Sequence, residues 1–199
     1  MYHDRKWIAA MLSTPGVPAI RSFDIANIHV RGRASRLGAI VKDWRSFLSR
    51  LGFKGPLWVT EHGYPARTLF QYDRAFRGGE RAQANFLTRS LPALRGAGAG
   101  QVFVTLRDSW PSEWTGEYAS EGVISLGEAP PFSVRRKASF EVVRKLNARW
   151  QRKVSRLRTL RARHLKAAAR ARRAGRRAAV RRHKKLARGY ARRLKALAA

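Results

Sequence analysis

Leu57-Trp58-Val59-Thr60-Glu61 is entered through Gly55-Pro56 and left through His62-Gly63-Tyr64-Pro65. An apolar, β-branched run this short, bounded on both sides by glycine and proline, reads as a buried strand. It therefore sets a carboxylate at a strand's C-terminal end. Side chains alternate along a strand, so Leu57, Val59 and Glu61 are expected on one face, with Trp58 and Thr60 on the other.

Upstream of this run, residues 35–51 place Leu37, Ile40, Val41, Trp44, Phe47, Leu48 and Leu51 at three- and four-residue spacings. That pattern predicts an amphipathic helix with Ser35 as candidate N-cap and Gly52 as its stop. Before it, residues 23–30 (FDIANIHV) form a second strand candidate, ended by Arg31-Gly32-Arg33, and residues 4–13 are helix-compatible up to the Pro15-Gly16-Val17-Pro18 breaker. Downstream, a helix over 80–94 follows Gly78-Gly79, a third strand covers 101–106 (QVFVTL), and a last helix is expected over about 133–146. The order helix, strand, helix, strand, helix, strand, loop, helix implies parallel crossovers and an α/β fold with functional groups at the C-terminal strand ends. Three strands would make only about the last three units of an eight-stranded (β/α)₈ barrel. The expected fold is thus a partial TIM barrel over 1–146, followed by a basic helical or partly disordered tail over 147–199.

If Leu57 and Val59 fill a barrel interior, Glu61 points into its mouth. The same parity groups Ile25, Asn27 and His29, which puts an imidazole beside that carboxylate. The ordered set FDIANIHV, PLWVTEHGYP, RAQANFLTRSLPALRGAGAGQVFVTLRD and SEGVISL resembles the C-terminal part of the barrels of glycoside hydrolase clan A, the cellulase, xylosidase and arabinofuranosidase-like enzymes. The resemblance implies that Glu61 matches the nucleophile, His29 a sugar-site residue, and Tyr64 a substrate-binding residue near the nucleophile. It also implies a carbohydrate substrate and retaining hydrolysis, in which a second carboxylic acid about 5–5.5 Å away protonates the leaving oxygen. In that clan the acid/base glutamate follows an asparagine at the end of the fourth strand. No Asn-Glu dipeptide occurs in this chain, so the first five strands are expected to belong to a missing N-terminal segment.

Asp108 could be recruited as the absent acid or could pair locally with Arg107. Trp110 and Trp114 could form a sugar platform, since a ring face suits apolar C–H faces of a sugar, or could be core residues. No His, Asp or Glu set has metal-ligand spacing and no glycine loop cradles a phosphate, so no cofactor is expected. The absence of cysteine excludes a disulfide framework or a Cys-based zinc site.

Charge divides the chain more sharply than hydropathy does. Residues 1–141 carry 20 basic and all 12 acidic side chains, and 142–199 carry 23 basic and none acidic. Within 151–199, 15 of 20 cations are arginine, interleaved with Ala and Leu, and Gly175 and Gly189 replace any proline. Strong helix formers favour a helix of about 70 Å if it is continuous, while like charges at i,i+4 oppose it. A polyanion would order such a segment through counterion release, whether nucleic acid, anionic lipid or anionic wall polymer; a solvated tail is the alternative. The reading that competes with a glycosidase is accordingly a non-catalytic binding protein that docks through this tail. No stretch is long and apolar enough to span a bilayer, and residues 1–16 do not read as a secretory signal. Localisation is left open, although full-length members of the resembled clan are often secreted.

Overall fold

The computed structural model describes residues 5–16, 19–67, 73–76, 78–109, 119–126 and 133–198. The chain divides into two compact units, Met1–Val142 with Ala199, and Val143–Ala198. The first is mixed α/β, in the order α1 (Arg5–Leu12), β1 (Ala26–His29), α2 (Ala34–Arg50), β2 (Leu57–His62), α3 (Gly79–Gly96), β3 (Ala99–Val104), β4 (Ile124–Leu126) and β5 (Val134–Arg136). Helix α4 (Ala138–Arg173) begins in this unit, and α5 (Arg177–Ala198) lies wholly in the second.

β1, β2 and β3 form a three-stranded sheet in that order, every pairing parallel, with α2 and α3 as the crossovers. The helices pack on each other and α3 packs on β3. One face of the sheet is consequently core: Ala26, Ile28, Leu57 and Val59 are buried together with Leu37 and Val41 of α2 and Phe86, Leu87 and Leu94 of α3. The other face is open. Asn27 and His29 are exposed, Trp58 and Thr60 are half-buried, and Phe103 is 49% exposed with its ring 5.7 Å from Trp58. In an open parallel sheet both faces are normally covered; among the described residues the helices lie on one side and leave an aromatic and polar surface on the other.

Two local expectations are corrected. Ser35 does not cap α2: the helix begins at Ala34, whose N–H donates to Asp73 Oδ2 at 2.9 Å, so a carboxylate from a distant loop sits at the positive helix end. Residues 133–137 are not helical either, because β5 pairs antiparallel with β4 over Ile124↔Arg136, Ser125↔Arg135 and Leu126↔Val134. The helix starts only at Ala138, and it continues well past residue 146, since nothing from there to Arg173 interrupts a run of helix formers.

A buried amide ties the loops beneath the sheet's C-terminal edge to α3. Gln83 is fully buried, and its Nε2 donates toward the carbonyls of Tyr64 (2.8 Å), Glu121 (3.0 Å), Ser120 and Gly122 (both 3.2 Å). Its Oε1 accepts from the Ser139 hydroxyl at 2.7 Å. Replacing Gln83 by Met keeps the volume but strands these carbonyls and that hydroxyl, so we expect a loss of about 2 kcal/mol in a urea titration; an unchanged midpoint would show that the amide is dispensable.

The second unit is not one continuous helix. α4 ends where Gly175 takes φ +68°. There the Gly175 N–H donates to Arg172 O and the Arg176 N–H reaches back to Ala171 O at 2.9 Å, the pair of bonds of a Schellman stop. The chain returns as α5, and the two helices meet at His164 and His183, whose Nδ1 atoms are 3.2 Å apart, with the Tyr190 ring stacked on His164 at 5.6 Å. Leu157, Ala168, Ala171 and Ala187 are buried in this unit.

Candidate functional site

Glu61 occupies the penultimate position of the middle strand, at the edge where all three parallel strands end. It does not share the face of Leu57 and Val59. The pairing shifts by a residue between Ile28 and His29 on β1, and again between Val59 and His62 against β3. One extra residue inverts the alternation, so His62 takes the buried face and Glu61 turns to the open one with a side chain 47% exposed. The same shift brings Glu61 opposite His29, with Oε2 3.2 Å from the imidazole Nδ1.

Arg31 lies two residues past the end of β1, with the Val30 N–H before it donating to Glu61 O at 3.1 Å. Both terminal guanidinium nitrogens donate to Glu61 Oε2 at 3.1 Å, while Nε and Nη2 also reach the Glu121 carboxylate at 3.1 and 3.0 Å. One arginine thus bridges a half-exposed carboxylate and one that is only 1% exposed. Burial works against the Arg31 charge, and the Glu121 and Glu61 carboxylates outweigh it, holding the guanidinium above its ordinary pKa. Because His29 and Arg31 converge on Oε2, the other oxygen of Glu61 receives no hydrogen bond among the described residues.

Gly63 is needed for this arrangement through space rather than as a strand breaker: a Cβ there would lie 2.9 Å from Glu121 Oε2. Behind the strand end, His62 is fully buried, with Nδ1 donating to Val30 O at 3.0 Å and Nε2 accepting from the Ser90 hydroxyl at 2.8 Å. A carbonyl can only accept, which fixes this neutral tautomer. Burial, with the Arg31 charge adding and the Val30 carbonyl opposing, pushes the His62 pKa down to about 4.

The remaining sequence candidates separate. Tyr64 lies in the core: it is fully buried, stacked on Phe86 at 4.4 Å, and its hydroxyl donates to Asp73 O at 2.8 Å. Asp108 is paired not with the Arg107 guanidinium but with Lys137, whose Nζ donates to Oδ1 at 2.7 Å and to Ser120 O at 3.1 Å. Burial pushes Asp108 up and Lys137 down, against the pairing that favours both charges. Trp110 and Trp114 lie outside the described residues. Arg31 and Glu121 were not singled out from sequence. For Arg31 the signal existed, since it lies two residues beyond His29 on the same strand parity; for Glu121, in a loop far along the chain, none did.

Among the described residues, no group of three or more His, Cys, Asp or Glu is placed to hold a metal ion, and no helix is long and apolar enough to cross a membrane. No protein-family model and no curated protein matches the chain. Among solved structures, it is similar to an active-site mutant of Rhizomucor miehei β-1,3-glucanosyltransferase in complex with laminaritriose, at 10% identity and a TM-score of 0.42. The likeness covers 61% of this chain and 51% of that one, so the chain spans about half its length. At that similarity neither activity nor substrate transfers.

Proposed function

We propose that the first unit is the closing part of a sugar-cleaving (β/α)₈-type barrel, in which Glu61 is the nucleophile and a complementary segment supplies the acid. The observation that carries this reading is the placement of Glu61 on the open side of the middle strand's C-terminal end, with His29 at 3.2 Å and Arg31 at 3.1 Å from one of its oxygens. The resemblance of residues 57–65 and their flanking units to clan A glycoside hydrolases supports it from the sequence. The half-buried Trp58 and Thr60 beside the exposed Phe103, and β1 with β2 as its one partner strand among the described residues, suit a segment that continues the sheet around this face.

In the completed site, Arg31 and His29 fix Oε2 and leave the other Glu61 oxygen to attack the anomeric carbon. The leaving oxygen takes its proton from the segment's carboxylic acid. Water then attacks the glycosyl-enzyme, giving its proton to the same group and releasing Glu61 as carboxylate. The chain by itself is expected to be inactive.

The test mixes the chain with a segment carrying five strand-helix units of such a barrel and follows aryl glycoside cleavage. Activity that appears in the mixture and is abolished by Glu61→Gln supports the reading. No activity with any complementary segment, or activity that survives Glu61→Gln, overturns it.

A further inference from the structure

We propose that the helical hairpin of the second unit binds double-stranded nucleic acid along its phosphate backbone, with one face of α5 as the contact line. The hairpin carries no acidic residue from Val143 to Ala198. Its cations are also ordered. Arg177, Arg181, Lys184, Arg188, Arg192 and Lys195 follow one another at four- and three-residue steps, and all six are exposed. At 3.6 residues per turn they occupy an arc of about 80° and a line of about 27 Å. Arg152, Arg156 and Arg163 line a comparable stripe on α4.

Three features select the partner. First, the apolar side of α5 is already used: His183 and Tyr190 meet His164 of α4, and Ala187 is buried. Among the described residues of this unit only Leu165 and Leu186 are large apolar side chains left exposed, which is too little to anchor a helix in a bilayer. Second, a rigid line of closely spaced cations gains most from a stiff polyanion of high charge density, and duplex nucleic acid has one phosphate charge per about 1.7 Å of axis. Third, α5 contains no Asn, Gln, Ser or Thr. It lacks the amides that read adenine edges, and its cations lie on one exposed line suited to a phosphate backbone, so binding should depend little on sequence.

The experiment is fluorescence anisotropy of a labelled random-sequence DNA duplex titrated with the full chain. Engagement of six phosphates gives a log–log salt slope of about −5, or roughly a thousand-fold weaker binding at 200 mM than at 50 mM salt. Arg181, Lys184, Arg188 and Arg192 replaced together by Ala should lose roughly a hundred-fold or more and flatten the slope. Replacing Arg158, Arg161, Arg173 and Arg182 removes the same charge off the stripe and should lose much less. Alanine is the best helix former, so both variants should keep their far-UV helical signal.

Equal losses in the two variants would mean undirected charge attraction and would overturn the stripe. A salt-independent affinity, or tighter binding to anionic phosphatidylglycerol vesicles or to an acidic polysaccharide than to the duplex, would overturn nucleic acid as the partner. None of these results depends on whether Glu61 is catalytic.

Discussion

Arg31→Met is expected to lower the stability of the first unit by about 3 kcal/mol at neutral pH, because removing one partner of a buried ion pair leaves the other's charge uncompensated. The effect comes mainly from Glu121, which is 1% exposed and accepts from Nε and Nη2 of the same guanidinium. Glu61 is about half exposed, so water can replace what it loses, at a cost within about 1 kcal/mol. Acid should reveal the difference. A carboxyl that has taken up a proton needs no counter-charge, so the deficit relative to wild type should shrink in acid. Arg31→Lys keeps the charge but not the planar fork that spans two carboxylates, and should fall between the two. In a Glu121→Gln background the Arg31→Met cost should drop sharply, since the buried charge is gone. Urea midpoints across pH for these variants decide the matter: equal midpoints for wild type and Arg31→Met, or a deficit that ignores pH, would show that the bridge does not hold the strand ends together.

This arginine also marks where the sequence stops being legible. The strands could be found because apolar, β-branched runs are set off by glycine and proline, and α2 and α3 because their apolar residues recur at helical spacing. β1 came out shorter than its run, Ala26–His29 rather than 23–30. What alternation cannot announce is an irregularity. A single shift near Thr60 and Glu61 exchanges the faces of Glu61 and His62, and with them the roles of solvent-facing carboxylate and buried imidazole. The β4–β5 pair was hidden for a related reason: β5 is exposed along its length, with Val134 67% exposed, so it lacks the apolar signature and runs directly into helix-forming sequence.

The tail shows the same limit. Gly175 and Gly189 look alike in sequence, yet Gly189 lies inside α5 and Gly175 alone ends a helix. The decision belongs to the contacts made when α5 folds back, not to the glycine. Tyr64 shows it too, since its place in the core is set by packing. Its neighbours Phe76 and Phe86 are brought by α3 and the turn before it, both distant in the chain.

His62 supplies the second large expected effect. Its pKa is about 4 in the folded chain against 6.5 as the ordinary value, because burial removes water from the imidazolium and Arg31 repels it. Between those values the unfolded chain binds a proton that the folded chain does not, so stability must fall as pH drops from 6.5 toward 4 and rise again on return. The stabilisation is fully present above 6.5 and is lost toward 4, amounting to about 3 kcal/mol at 1.36 kcal/mol per pKa unit. Carboxylates also respond to acid. Asp43 and Glu80, held below their ordinary range by their arginine partners Arg5 and Arg135, lose stabilisation in the same direction. Both remain in His62→Gln, which keeps a donor for the Val30 carbonyl and an acceptor for the Ser90 hydroxyl but cannot take the proton. That variant should be less stable than wild type at pH 7, by about 1–2 kcal/mol for imperfect hydrogen bonds, and should lose less on acidification. The two urea-midpoint curves should therefore meet between about pH 6 and 5 and cross below that. Curves that stay parallel from pH 7 to 4.5 would mean that the imidazole is not held neutral behind the strand end. The burial that keeps the open face and the core face distinct at Glu61 and His62 would then be wrong.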